Sequence, residues 1–222
     1  MYLILFDVDG TIVDSQNIIF EGFARSFAAL GRPAPRREDV LQIIGRSLPA
    51  AMATLLGLEE SDSLVTEAVA TYKAAFQDLR RIADSFEALY PQARETIDAL
   101  KSRSDVILGI ATGKSRRGVR AVIDAHGFDG VFTTIQTADD HPSKPHPSMI
   151  VTAMAETGIT PDRTLMIGDS SYDMLMARSA GVTALGVSWG YQDIHQLTAA
   201  GAHAIVDDYP AVEPAIARLL HW

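Results

Sequence analysis

The sequence predicts an α/β fold in which a Rossmann-like parallel sheet forms the core and an α-helical cap is inserted after strand 1. Short apolar runs recur along the chain, and stretches with the three-to-four-residue spacing of an amphipathic helix separate them. This alternation is typical of a parallel sheet with helices on both faces. A long helix-rich segment after the first run predicts the cap.

Four apolar runs are predicted as the buried strands of the sheet, at residues 2–6, 106–111, 164–167 and 183–187. Apolar residues at helical spacing predict the helices that connect them, at residues 91–103, 116–126 and 150–156. In an open sheet of this kind, ligands bind beyond the carboxyl ends of the strands. Polar residues that follow a predicted strand are therefore the first place to look for a site.

Residues 15–83 contain helix-like stretches at 18–30, 48–56 and 64–79 and no convincing strand. The simplest interpretation is a helical cap domain over residues 15–83 and a catalytic core over residues 1–14 and 84–222. A cap in this position lies above the strand ends, where it can act as a lid.

The composition limits the classes of partner. The 222 residues include 28 acidic and 19 basic side chains, for a net charge of -9, and 47% are hydrophobic. An acidic chain is a poor ligand for nucleic acid or an anionic membrane, because both attract cationic surfaces. It also repels phosphate, so any phosphate site needs a local cation. We expect no nucleic-acid or membrane partner.

The cysteine count and the N-terminal sequence bear on chemistry and location. The chain has no cysteine, which excludes disulfides, a thiolate nucleophile and a cysteine-ligated zinc site. The start MYLILFDVDG lacks the basic region of a signal peptide, and its apolar run is short. Since no apolar window reaches the length of a membrane span, a cytoplasmic protein is the default expectation.

Acidic residues follow the first predicted strand in the sequence DVDGT at residues 7–11. Asp7 and Asp9 are close enough to destabilise each other unless a cation binds between them. Gly10 allows the backbone to turn sharply at this point. Taken alone, an acid pair after a strand is more often a turn or a helix cap.

Two further predicted strand ends and one lysine carry polar groups. Thr112 and Gly113 follow the second strand, where a hydroxyl and backbone N–H groups suit a phosphate oxygen, although Thr112 could instead cap the next helix. Asp169 and Asp173 follow the strand at 164–167, and Lys144 precedes that strand. Each feature is weak alone; their shared place at strand ends indicates one site.

The motifs DVDGT, ATG, KPHP and GDSSYD stand in this order along the chain. In type and order they resemble the motifs of the haloacid dehalogenase-like superfamily of phosphohydrolases, and the resemblance covers nearly the whole chain. The helical insertion and the sequence AGVTALGVSWGY are similar to the phosphoglycolate phosphatase-like branch, which has an α-helical cap.

The resemblance implies that Asp7 attacks phosphorus to form an aspartyl-phosphate. It implies that Asp9 protonates the leaving alcohol and then deprotonates the attacking water. Mg²⁺ is the expected cofactor, with Asp7, Asp169 and the backbone carbonyl of Asp9 as its metal ligands.

The remaining motif residues are expected around the phosphoryl group. The resemblance implies that Thr112, the Gly113 amide and Lys144 stabilise its oxygens, while Asp173 orients Lys144 or a metal-bound water. The expected substrate-binding residues are Gly10, Gly113, Lys114 and Arg46. For Arg46, a cap residue that reaches the substrate and an exposed helix-start arginine are equally good interpretations.

The expected activity is the hydrolysis of a small phosphorylated metabolite by a monomer or homodimer. Phosphoglycolate is the first candidate substrate, on resemblance alone, with pyrophosphate and sugar phosphates left open. The presence of Asp9 favours hydrolysis of a phosphate ester over cleavage of a carbon–halogen bond, because the latter reaction needs no acid to protonate an alkoxide. The alternatives are a phosphomutase of the same superfamily and a non-catalytic phosphate-binding or receiver-like signalling protein.

Overall fold

The computed structural model describes residues 1–82 and 87–222. In this part of the chain the strands are β1 (Tyr2–Phe6), β2 (Val13–Asp14), β3 (Ala88–Leu89), β4 (Val106–Thr112), β5 (Thr134–Thr137), β6 (Thr164–Gly168), β7 (Thr183–Val187) and β8 (Ala204–Val206). The helices are α1 (Gln16–Ala29), α2 (Arg37–Ile43), α3 (Leu48–Leu56), α4 (Ser63–Ile82), α5 (Ala93–Ser102), α6 (Arg116–His126), α7 (Ser148–Thr157), α8 (Ser171–Ser179), α9 (Ile194–Ala199) and α10 (Val212–Leu220).

The main sheet is parallel and has the strand order β5-β4-β1-β6-β7-β8. This confirms the predicted fold class. Strands β1 and β7 have the predicted bounds, and β4 and β6 are each one residue longer than predicted. The central strands β1, β4 and β6 end at neighbouring positions on one edge, so the residues that follow them lie close together.

Helices cover both faces of the sheet. The side chains of each buried strand alternate between the two faces, so each strand contributes to two apolar layers. Ile4 and Phe6 of β1 point to the layer that contains α5 and α10. Leu3 and Leu5 point to the opposite layer, which contains α7 and α8. All four side chains are fully buried. The carboxyl end of β1 is thereby fixed in the middle of the molecule.

Helices α1 to α4 lie between β2 and β3 along the chain and form an apolar cluster of their own. In α1, Ile19, Phe23 and Phe27 recur every four residues and face this cluster. The antiparallel pair of β2 and β3 joins the points where the chain leaves and re-enters the sheet layer. The predicted division between residues 83 and 84 lies outside the described residues, so these domain bounds stay a prediction.

None of the helices within the described ranges combines the length and apolar character needed to cross a membrane.

Candidate active site

The loop after β1 brings Asp7 against the loop after β6. Asp7 is buried, and its backbone N–H donates to the Ile167 carbonyl of β6 (2.9 Å). Gly10 has a φ of 81°, in the left-handed region that favours glycine. A Cβ atom at Gly10 would overlap the Asp169 carboxylate. Glycine is therefore required at this position for both its φ and its close approach to Asp169.

Lys144 lies between two carboxylates in the interior. Its Nζ is 2.6 Å from Asp173 Oδ1 and 3.1 Å from Asp7 Oδ1, and all three side chains are buried. Asp173 is fixed from its other side by Ser170, whose hydroxyl donates to Asp173 Oδ2 (2.6 Å) in a capping box at the start of α8. Asp173 thus holds the ammonium group of Lys144 next to Asp7.

The pKa values of these groups follow from burial and from the neighbouring charges. Burial raises the pKa of Asp7 to about 6, although Lys144 opposes this increase. Burial, followed by the charges of Asp173 and Asp7, raises the pKa of Asp169 well above its usual value. Burial alone would lower the pKa of Lys144, but the two carboxylates beside it raise the pKa instead.

The carboxylates at this edge fit a divalent cation. One oxygen from each of Asp7, Asp169 and Asp173 lies within 4.8 Å of the others. Both oxygens of Asp7 are buried, and Oδ1 lies 3.1 Å from the Lys144 ammonium group. Hard cations such as Mg²⁺ prefer oxygen ligands of this type. Asp7 and Asp169 were both predicted as metal ligands, whereas the Asp9 carboxylate lies outside this group.

The carboxylate of Asp9 instead joins a second polar cluster. Its Oδ1 accepts hydrogen bonds from the Ser15 hydroxyl and from Lys114 Nζ, both at 2.6 Å. Lys114 Nζ also lies 2.8 Å from Glu87 Oε1, and the Lys114 side chain is only 7% exposed. Burial alone would lower the pKa of Lys114, but Asp9 and Glu87 raise it. Lys114 therefore lies in the site as an ion-pair partner of Asp9.

Three residues of the site escaped the sequence prediction: Ser15, Glu87 and Tyr191. Ser15 does precede α1, but its hydroxyl binds Asp9 and does not cap the helix. The backbone N–H of Tyr191 donates to Asp169 Oδ2 (2.9 Å), and its phenol oxygen accepts from the Ser15 N–H (2.8 Å). Tyr191 thus contacts Asp169 directly and also contacts Ser15, which binds Asp9. The only sequence signal for this role is the position of Tyr191 in WGY after β7.

The β4 end brings Thr112 and Gly113 to the same edge as Asp7. The Thr112 hydroxyl accepts from the Lys114 N–H (3.2 Å), while Ser115 caps helix α6. The alternative interpretation of Thr112 as that helix cap is therefore wrong. A Cβ atom at Gly113 would lie 2.5 Å from the Gly45 carbonyl oxygen and 2.6 Å from that of Arg46. The cap segment rests directly on Gly113.

Arg46 lines the same cavity as Asp7 and Asp9. Its guanidinium donates to Thr54 Oγ1 (2.6 Å) and lies 5.8 Å from the centre of the Tyr172 ring. The contact with Thr54 is within the cap, and the contact with Tyr172 reaches the core. Arg46 thus lies in the wall of the cavity, with contacts on both the cap and the core.

A cavity of about 750 Å³ lies between helices α1 to α4 and the strand ends. Of the predicted site residues, the following line it: Asp7, Asp9, Arg46, Thr112, Gly113 and Lys114. The others, namely Gly10, Lys144, Asp169 and Asp173, lie next to these within the described structure and hold them in place. A phosphate ester that reached Asp7 would thus extend its leaving group into the cavity.

Comparisons with known proteins identify similar sequences and a similar fold. The family model described as haloacid dehalogenase-like hydrolase matches residues 4–187. The chain is 35% identical to the "Probable phosphatase IndB" of Dickeya dadantii, over 98% of this chain and 94% of that protein. It is 28% identical to the phosphoglycolate phosphatase of Pseudomonas putida, over 97% and 79%. The crystal structure of a hydrolase from Pseudomonas syringae superimposes with a TM-score of 0.86 at 25% identity, covering 98% and 99% of the two chains.

Proposed function

The chain belongs to the haloacid dehalogenase-like hydrolase family, and from that premise we propose that this phosphatase hydrolyses a small phosphomonoester in a Mg²⁺-dependent reaction. The observation that carries the proposal is the position of Asp7. Both of its oxygens are buried, Oδ1 lies 3.1 Å from Lys144 Nζ, and Asp169 and Asp173 place further carboxylate oxygens beside them. A buried carboxylate of this kind suits a nucleophile next to a cation site.

In the first proposed step, an Asp7 oxygen attacks phosphorus, and the bond between phosphorus and the ester oxygen breaks. Asp9 donates its proton to the departing alkoxide, so the alcohol leaves neutral. In the second step, Asp9 takes a proton from water, whose oxygen attacks the aspartyl-phosphate. The bond between Asp7 and phosphorus then breaks, releasing inorganic phosphate and restoring both carboxyl groups.

The neighbouring groups would position and stabilise the phosphoryl group. The Thr112 hydroxyl, the Gly113 N–H and Lys144 supply donors for its oxygens, while Asp173 keeps Lys144 in place. Asp7, Asp169 and the backbone carbonyl of Asp9 would hold Mg²⁺. When bound, Mg²⁺ supplies positive charge that offsets the carboxylates and the phosphate, which an acidic protein otherwise repels.

The cavity supports a small substrate, because helices α1 to α4 close over Asp7 and leave little room for a folded phosphoprotein. Phosphoglycolate is one substrate to test, because the relative from Pseudomonas putida is named as its phosphatase. Gly10, Gly113, Lys114 and Arg46 remain the proposed substrate-binding residues.

The test is phosphate release from a panel of phosphomonoesters, with Mg²⁺ and with excess chelator. We expect Mg²⁺-dependent release by the wild type. We expect the Asp7→Asn variant to lose at least about 10³-fold in kcat, because the amide cannot serve as the nucleophile. Asp162→Asn, at an exposed position remote from the cavity, is the matched control with unchanged activity.

Substantial turnover by a folded Asp7→Asn variant would remove Asp7 as nucleophile. Absence of release from every ester, combined with isomerisation that requires a bisphosphate activator, would contradict hydrolysis and identify a phosphomutase.

A further inference from the structure

The cavity above Asp7 is larger than a two-carbon substrate needs. Its volume is about 750 Å³, within the range of roughly 300–1,000 Å³ that suits a drug-sized ligand. If each non-hydrogen atom of phosphoglycolate took the ~30 Å³ of a water molecule, the ester would fill well under half of the cavity. Pyrophosphate would leave a similar space.

The cap is in contact with the core, so the cavity volume does not result from a wide separation of the two. The Ser47 N–H donates to the Ser143 hydroxyl (2.8 Å), and the Gly45 and Arg46 carbonyl oxygens sit against Gly113. With these contacts in place, the space between helices α1 to α4 and the strand ends is still large. A substrate that fits the closed site is therefore a bulky one.

The cap side of the cavity is apolar and aromatic. Phe23, Tyr72 and Phe76 line it as a row of rings, with centroids 4.7 Å apart for the first pair and 5.6 Å apart for the second. Arg80 and Lys114 place cationic groups 5.0 and 5.6 Å from the centre of the Phe76 ring. Aromatic and guanidinium faces of this kind stack favourably on a flat ring. Phe23 and Tyr72 are buried in the cap cluster, whereas Phe76 is half-buried, so a short polar ester would leave the Phe76 ring against water, which is unfavourable for apolar surface.

The charge around the cavity is the reverse of the charge on the chain as a whole. Among the described residues that line the cavity, six are basic and three are acidic, whereas the chain has 19 basic and 28 acidic residues. Lys73 and Arg117 are exposed lining residues for which the described part of the chain shows no salt bridge. A cationic rim draws an anionic ester toward the opening.

We propose that the substrate is a phosphomonoester of an alcohol that carries an aromatic or nucleobase ring. This inference rests on the proposed phosphatase function, and the volume of the cavity, its aromatic cap side and its basic lining residues all support it. The phosphate binds at Asp7, and the ring packs against Phe76 and the neighbouring apolar residues of the cap. Hydrolysis follows the two steps given above, with the ring-bearing alcohol as the leaving group.

The experiment compares esters whose leaving alcohols have the same chemistry. Ethyl phosphate and 2-phenylethyl phosphate both release a primary alcohol, so a difference in kcat/KM reports binding of the ring. Phosphoglycolate, pyrophosphate and a nucleoside 5′-monophosphate complete the panel. We expect kcat/KM for both ring-bearing esters to exceed that of each small phosphate by about ten-fold or more, because even one methylene in a fitted pocket changes kcat/KM by this order.

A matched pair of variants links the preference to the cavity. Ala121 lines the cavity on α6 and is half-buried, whereas Ala125 is exposed on the same helix and does not line it in the described structure. We expect Ala121→Phe to lower the ratio of kcat/KM for 2-phenylethyl over ethyl phosphate by about ten-fold. Ala125→Phe should leave the ratio unchanged. Ala121→Leu replaces the phenylalanine variant if thermal unfolding shows that Ala121→Phe does not fold.

The outcomes separate the two proposals. Mg²⁺-dependent release with equal or better turnover of the small phosphates would overturn the ring-bearing substrate and leave the phosphatase function intact. An unchanged ratio in a folded Ala121 variant would overturn the assignment of the ring to this cavity. Absence of release from any ester by the folded protein would overturn the phosphatase function, and this inference with it.

Discussion

Charge balance around Asp7 explains why one ammonium group is not enough at this site. Lys144 contacts Asp7 and Asp173, and Asp169 lies beside these two carboxylates, so three carboxylates and one ammonium would leave two negative charges when all are ionised. Burial is the main cause of the raised pKa values of Asp7 and Asp169, and the neighbouring carboxylates add to it. A divalent cation would supply the missing charge, which makes protonation and metal binding competitors for the same oxygens.

The first prediction concerns the pH dependence of stability without metal. The pKa of Asp7 is about 6 in the folded protein against 3.8 for an ordinary aspartate, so the folded state keeps a proton that the unfolded state has lost between these values. The unfolding free energy should therefore fall as the pH rises from about 4 to 6, by on the order of 3 kcal/mol from Asp7. Added Mg²⁺ should restore stability above pH 6 and have little effect below pH 5.

Urea unfolding at a series of pH values, with chelator or with Mg²⁺, measures both effects. Asp7→Asn is the informative variant, because its amide does not titrate and its pH dependence should be flatter. An equal pH dependence in the wild type and in Asp7→Asn would show that other groups are responsible.

Among the secondary-structure elements, the central strands could be predicted from sequence and the outer ones could not. β1 and β7 are continuous apolar runs because both of their faces are buried. β5 has the sequence TIQT and β8 has only three residues, so neither shows a clear apolar run. Their pairing with β4 and β7 depends on contacts between distant parts of the chain, which local patterns do not encode.

Some residues of the site could likewise be predicted from the sequence, and others could not. Asp7, Thr112 and Asp169 follow central strands, and the rule that strand ends meet was enough to bring them together. Glu87 has no such local signal, and Tyr191 has only its place in the sequence WGY after β7. Tyr191 reaches Ser15 across 176 positions of sequence, and Glu87 meets Lys114 where the chain returns from the cap. These contacts exist only once the cap and the core are both folded.

A second prediction concerns the start of helix α8, which combines a helix cap with a buried ion pair. Asp173 satisfies the Ser170 N–H and hydroxyl and also pairs with Lys144. Asp173→Ala removes one half of the capping box, with Ser170 still at the N-cap, and leaves the Lys144 ammonium with a single partner in the interior. We expect a loss of about 3–5 kcal/mol in unfolding free energy, as for other broken buried ion pairs, measured by urea unfolding.

Helix α9 offers the matched control. Gln196 holds the same position in the capping box of Asp193, but it is near the surface and carries no buried charge. Gln196→Ala should cost about 1 kcal/mol or less. Similar losses in the two variants would mean that the pair with Lys144 adds little and that Asp173 acts as a cap alone.

At the scale of the whole molecule, the cap and the core have separate apolar clusters and meet largely through polar contacts. The Ser47–Ser143 hydrogen bond and the contact of Gly45 with Gly113 both lie beside the cavity. Polar interfaces between units with their own cores open at modest free-energy cost. We therefore expect the cap to move away from the core when substrate enters and product leaves.

The last prediction tests whether this contact matters for turnover. A methyl group at Gly113 would overlap the Gly45 and Arg46 carbonyl oxygens, which are backbone atoms and cannot rotate away. In Gly113→Ala the cap should sit farther from the core. We expect faster amide hydrogen exchange at residues 44–47 and a fall of about ten-fold or more in kcat/KM, because a small displacement near the reacting groups is costly.

Ser143→Ala removes only the acceptor of the Ser47 N–H and should give a smaller change in the same direction. The unfolding free energy should change by less than about 1 kcal/mol in both variants, since neither apolar cluster is altered. Lost activity in Gly113→Ala with unchanged exchange at residues 44–47 would place the defect in the Gly113 backbone, and cap closure would not be its cause.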